Sequence, residues 1–325
     1  MIEYKEKRMK NSIIINISED IDYSSTPYDD VYRTLLNDCP GLIIPVVNEV
    51  FGKNHKAEDE ITILNNELFI NGQKGQQFER ITDSIFRIEG VCYHIECQST
   101  IDGSILVRIF EYDSQIALHD STVEDETLCV KFPNTALMYL RHNRNTPDCM
   151  TINIKVPGDE CSYRVPVLKV QQYTIEDIFS KKLFFLIPFY IFIYEKNFDK
   201  YNSSDERMKE LTNVYERIVA QLELEVREGV LTEYIKQMIL EMAKKVLEHI
   251  SRKYSNVKER ISEIMGGQIL DYEAKTILLR GKESMLVEQI SKKLKKGKTK
   301  DQIAEALEVD PEMVEKLIKE YNLIP

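Results

Sequence analysis

The sequence predicts an α/β protein followed by a helical region, and three observations predict it. Residues 60–100 and 127–173 have strand character, with apolar runs bounded by turn residues. A helical period separates them in SILVRIFEYDSQIAL. From about Ser203 onward, apolar residues recur at helical spacing between charges.

Taken in order, residues 1–25 lack a period and read as a loose arm. PYDDVYRTLLNDCPGLIIPVVNEVFG reads as two short helices broken at Cys39-Pro40-Gly41. Thr26 suits an N-cap, with Pro27 at the first helical position. ITILNNELFI, ERITDSIFRI and VCYHIECQ follow as strands, then the helix of SILVRIFEYDSQIAL. The β-rich stretch 127–173 turns around VPGDE. RHNRN, at 141–145, is a basic spot whose simplest reading is a solvated loop. The longest apolar run, Leu183 to Tyr194, is too short to span a bilayer and carries Pro188 inside, so it reads as a buried strand or helix.

A polar, turn-rich stretch, EKNFDKYNSSDE, sets a domain boundary near 200, dividing 26–200 from a helical region at 201–325. Met208, Leu211, Val214, Ile218 and Leu222 mark one amphipathic helix, and Leu231, Ile235, Met238, Met242, Val246 and Ile250 another. Near the end, SKKLKKGKTK holds six lysines and no acid. Thr299 and Gln302 fit a capping box, and Asp310-Pro311 fits an N-cap with proline behind it. Two short helices there resemble a helix-turn-helix. The second offers Glu312, Glu315, Lys316, Lys319 and Glu320, a mixed set for reading bases. A small packing or partner-binding unit is favoured, with Lys292, Lys293, Lys295 and Lys296 as nonspecific DNA phosphate contacts.

A chain of 325 residues suits about two domains. Its net charge of -11 counts against a general nucleic-acid binder, although a site needs only local positive potential. Six cysteines form no CxxC pair, so zinc-ribbon and redox signatures are lacking. MIEYKEKRMK is charged and no signal-peptide pattern follows, which points to a cytoplasmic protein with free thiols and no membrane partner. The oligomeric state stays open, a homo-oligomer included.

Between ERITDSIFRI and VCYHIECQ sits Glu89-Gly90, the signature of a tight two-residue hairpin loop. Ile88 then faces Val91, and Asp83 lies opposite Glu96. Gln98, Ile81, Ile85, Arg87, Cys92 and His94 share that face; Phe86, Ile88, Val91, Tyr93 and Ile95 form the other, which reads as the core side. Opposed carboxylates repel unless something compensates. Mg²⁺ would do so, since it takes oxygen ligands and retains several waters. The plainer alternative is a partly exposed hairpin whose acids face solvent. His94 could approach the ion, but a lone strand histidine is more often only packed.

DSIFRI, YHIECQST and RIFEYDSQIAL, in that order, resemble the PD-(D/E)XK nuclease superfamily, and within it the recombination-promoting nuclease and transposase-like family of bacteria. The likeness extends through FPNTALMYLRHNRNTPD, VPVLKVQQYTIEDIF and KKLFFLIPFYIF, over roughly residues 26–200. It implies a restriction-endonuclease-like mixed sheet flanked by helices, with metal-binding acids on a central hairpin. It maps the aspartate to Asp83, the glutamate to Glu96, and the third catalytic position, usually lysine, to Gln98. Glutamine offers hydrogen bonds without charge, so it can orient a water but cannot neutralise an oxyanion. Glu49 is the best-placed further acid for the metal, with Glu67 second. Arg108, Tyr112 and Gln115 fall near one helical face, where Arg108 could contact a phosphate or form an ion pair. The resemblance thus implies an endonuclease using Mg²⁺, with Mn²⁺ as a substitute, on DNA with low sequence specificity. The alternative is a nuclease fold without chemistry that binds DNA or protein.

Overall fold

The computed structural model describes residues 27–64, 67–71, 77–81, 84–101, 103–266, 286–287, 289–307, 309–321 and 323. The arm at 1–25, the Thr26 cap and Asp83 lie outside them, and the side chain of Glu67 is likewise outside the description. By contact the chain divides into two compact units. One takes the chain up to Arg33 with Val47–Val170; the other takes Thr34–Val46 with the chain from Gln171 onward.

Helices α1, Pro27–Asp38, and α2, Ile43–Phe51, are broken by a short 3₁₀ turn at Pro40–Leu42, as the Cys39-Pro40-Gly41 break predicts. Strands β1 (Ile61–Ile63), β2 (Glu67–Asn71), β3 (Gln77–Ile81), β4 (Ile85–Ile88) and β5 (Val91–Gln98) follow, then helix α3 (Ile105–His119). Beyond it come β6 (Thr122–Glu124), β7 (Thr127–Cys129), β8 (Asn134–Tyr139), β9 (Cys149–Val156) and β10 (Asp159–Lys169). Six of these strands form one mixed sheet in the order β1-β4-β5-β8-β10-β9. β5, β8 and β10 are parallel neighbours, and the other pairs are antiparallel. Parallel pairing of β5 with β8 needs a crossover, which α3 supplies. β2 with β3, and β6 with β7, form separate two-stranded ribbons.

The β4–β5 hairpin has the expected register, from Ile88↔Val91 to Ile85↔His94. Glu89 and Gly90 both adopt positive φ, 49° and 79°, as a two-residue loop matched to strand twist requires. The ladder reaches one pair further, with the Ile95 N–H donating to the Ser84 carbonyl at 3.3 Å.

The expectation of one core face on this hairpin is corrected: both faces are buried. Tyr32 of α1 meets Ser84 at 3.0 Å, and Phe51 of α2 packs on Tyr93 with ring centroids 5.3 Å apart. The other face lies under α3, whose stripe Ile105, Ile109, Tyr112, Asp113 and Ile116 is buried. Ile105 and Ile109 join Leu137, Tyr139 and Val165 in one apolar cluster. Burial of each such side chain stabilises by about 1.5–3 kcal/mol.

The second unit is helical. Phe184–Ile193 forms a 3₁₀ helix, buried throughout from Phe184 to Phe192. Pro188 lacks an N–H and is disfavoured inside an α-helix. Helices α4 (Ile175–Ser180), α5 (Phe198–Ser203), α6 (Asp205–Arg227), α7 (Glu233–Ile250) and α8 (Ser255–Ile264) complete this part, with α7 packed against the 3₁₀ segment. Ser204 and Thr232 cap α6 and α7 through side-chain oxygens. Further along, residues 289–295 and the helices Lys300–Leu307 and Pro311–Glu320 share a cluster of Ile290, Leu294, Ile303, Ala304, Val314 and Leu317. The predicted capping box is present: Thr299 N–H donates to Gln302 Oε1 at 3.0 Å, and Gln302 N–H to Thr299 Oγ1 at 3.4 Å. Glu315 bridges Lys300 and Lys319 at 3.3 and 2.8 Å, so two would-be base-reading side chains are engaged with each other. No described helix is long and apolar enough to cross a membrane.

Candidate functional site

Strand β5 carries the site because it is central, so its side chains are enclosed by sheet neighbours and α3. Glu96 is buried, opposite Leu137 of β8 in the ladder. Its Oε1 lies 3.0 Å from Arg108 Nη2, on the first turns of α3, and accepts from Gln98 Nε2 at 3.3 Å. Gln98 Nε2 also donates to the Cys97 carbonyl at 2.9 Å. Glu96 Oε2 has no hydrogen-bond partner among the described residues; His94 Nε2 stands 3.6 Å away.

His94 is anchored from behind. Its Nδ1 is 2.8 Å from Asp113 Oδ1 on α3. Thr135 Oγ1 of β8 donates to the same oxygen at 2.7 Å, and the Tyr163 hydroxyl of β10 donates to Oδ2 at 2.8 Å. His94 and Asp113 are fully buried. Nδ1 faces a carboxylate and so carries a proton. Nε2 faces another, which favours a second proton there. Burial pulls the imidazole pKa down, but the Asp113 hydrogen bond and the pairing with Glu96 outweigh it, raising the pKa to about 9. Asp113, His94, Glu96 and Arg108 thus form a buried set of alternating charges. Burial and the neighbouring Asp113 also push the Tyr163 hydroxyl pKa up, keeping it a donor.

Glu96, Gln98 and Arg108 come together. Arg108 does so as an ion pair, and its acid is Glu96 itself. Glu49 is exposed on α2, whose Phe51 packs on the face of β5 turned away from Glu96. Lys292, Lys295 and Lys296 are exposed and Lys293 half-buried beside the C-terminal helical cluster. Asp83 lies outside the described residues. The chain matches no family model, no curated protein and no solved structure.

His94, expected from the sequence to be only packed, is a central member of the cluster, and Asp113, Thr135 and Tyr163 join it outside that expectation. Asp113 did leave a signal: it is a lone acid on the apolar stripe of α3, where a buried charge needs a partner. RHNRN is not simply solvated. Arg141 Nη1 donates to the Ser99 carbonyl at 3.1 Å, and its guanidinium lies 5.8 Å over the Tyr28 ring.

Donor chemistry bears on the metal. Among the described residues no group of three or more His, Cys, Asp or Glu is arranged to hold an ion. Glu96 Oε2 is nevertheless a buried carboxylate oxygen without a hydrogen bond, the ligand type that Mg²⁺ takes while retaining waters. Among the described residues that oxygen alone does not make up a metal site.

Proposed function

We propose that the chain is a metal-dependent DNA endonuclease centred on Glu96. The observation carrying this reading is the Oε2 of a buried glutamate, without a hydrogen bond among the described residues, beside an amide and a guanidinium, on the central hairpin of a mixed sheet flanked by helices. Glu96 would hold Mg²⁺ or Mn²⁺ through Oε2, with Asp83 as second ligand on sequence grounds alone. A bound ion would supply a polarised phosphoryl oxygen and a more acidic water. Gln98 would orient the attacking water through its amide, and Arg108 would keep Glu96 Oε1 in place. The lysine run at 292–296 would supply salt-dependent contacts to the DNA backbone.

One observation favours a second reading, a nuclease-like fold that binds without cleaving. Glu96 already lies between two cations, Arg108 at 3.0 Å and His94 at 3.6 Å, so the cluster is electrically satisfied by protein alone. Supercoiled plasmid cleavage with Mg²⁺ or Mn²⁺ separates the two. Wild type nicks or linearises the plasmid, and Glu96→Gln, which preserves side-chain shape, loses at least about 100-fold in rate. Equal cleavage by both proteins would put the chemistry elsewhere. Metal-independent DNA binding without cleavage would establish the second reading.

A further inference from the structure

The two edges of the six-stranded sheet differ. β1 is three residues long, Ile61–Ile63, whereas β9 runs for eight, Cys149–Val156. β9 pairs only with β10, one residue to one, from Cys149↔Pro166 to Val156↔Asp159, and among the described residues nothing bonds to its outer edge. Long free edges are normally blunted by proline, a bulge or charge. β9 has no proline or bulge, and its one charged residue, Lys155, has Glu160 of β10 3.9 Å away.

Its side chains alternate. Met150, Ile152 and Ile154 are half-buried and Val156 is 50% exposed along one face, while Thr151, Asn153 and Lys155 are exposed on the other. Met150 and Ile152 pack on the cluster beneath α3. A strand that pairs antiparallel with its own copy keeps each face aligned only when the two-fold axis passes through a residue. An axis through Asn153 engages Met150 to Val156, all of the strand but Cys149. It sets Ile152 opposite Ile154 and Met150 opposite Val156, so the apolar row continues across the junction. Thr151 then faces Lys155, Asn153 faces itself, and no like charges are opposed.

We propose that β9 is the interface of a homodimer, its occupant the β9 of a second copy, giving one sheet through both chains. Closed two-fold symmetry uses the edge up, so assembly stops at two. Edge pairing buries less than a standard interface of about 1,600 Å², which makes the dimer reversible. The net charge of -11 on each copy opposes approach, so added salt strengthens association.

Sedimentation velocity on the full chain over a concentration series tests this. Wild type passes from monomer to dimer with rising concentration. Asn153→Lys and Asn153→Glu change an exposed side chain, so the monomer keeps its fold, but each sets like charges opposite each other at the axis. Each weakens the dimer by about tenfold or more, and an equimolar mixture of the two variants restores it. A wild type that stays monomeric throughout, variants that still dimerise, or a mixture that fails to recover would each overturn the proposal.

Discussion

Strand β5 places His94 and Glu96 in the interior of the first unit, whereas Phe184–Ile193 fills the interior of the second with apolar side chains. An apolar segment is stabilised by each side chain nearly independently, through area removed from water. Charges behind β5 work only as a set, because each is a desolvated liability until its partner is in place. The polar set also constrains the fold more tightly. A one-residue slip of β5 would turn Glu96 toward the face where Phe86 and Phe51 pack, away from Arg108. The 3₁₀ segment, buried from Phe184 to Phe192, carries one polar side chain, Tyr190, and no charge to mark its orientation.

The largest expected effect sets shape against charge. Asp113→Asn retains the side-chain outline but removes the counter-charge of a buried imidazolium. It should cost about 3–5 kcal/mol, as breaking one side of a buried pair does. Leu186→Met, at a fully buried position of the 3₁₀ segment, should cost under about 1.5 kcal/mol. Urea unfolding midpoints of the two variants measure both, and equal costs would erase the contrast.

Next in size is a pH effect confined to the first region. The His94 pKa is raised from 6.5 to about 9 in the folded chain. A raised pKa means the folded state binds the proton more tightly. Its stabilisation is therefore complete below about pH 6.5 and is lost as pH rises through 9. The span is on the order of 3 kcal/mol, taken from the shift itself. Unfolding free energy followed from pH 6 to 10 should decline for wild type, and much less for His94→Gln. A flat wild-type profile would mean that the imidazole is neutral in the fold.

Much of this was legible because it is local. Glu89-Gly90 specifies the hairpin loop, and the loop specifies the register. Proline and glycine mark the break between α1 and α2, and the period of RIFEYDSQIAL marks α3. What could not be read was the burial of the His94–Glu96 face, which depends on α3 crossing over to make β8 parallel to β5. Thr135 and Tyr163 enter the cluster only through β8 and β10, forty to seventy residues further along the chain. Sequence logic assigned the compensation of Glu96 to a metal because a hairpin considered alone shows neither the Asp113 carboxylate behind His94 nor the Arg108 that α3 lays over the strand. The fold sets two cations beside Glu96, one from the same strand and one from the crossover helix. The apolar run at 183–194 was legible as buried but not as 3₁₀, since a stretch apolar on every side carries no period.

Tyr163→Phe should have the smallest of the three effects and resolves the cluster most finely. It deletes one hydroxyl and leaves the ring, which packs 5.6 Å from Phe132, in place. Asp113 loses its bond at Oδ2 and retains Thr135 and His94 at Oδ1. Removing one hydrogen bond to a charged group costs about 1.5–3 kcal/mol. Because the Oδ1 side is untouched, the alkaline decline due to His94 should persist in this variant at nearly the same midpoint. A lowered midpoint would instead mean that Tyr163 holds the Asp113 carboxylate in the orientation His94 needs, making β10 part of the anchor. An unchanged stability would place the Tyr163 hydroxyl outside the working set and confine the cluster to β5, α3 and β8.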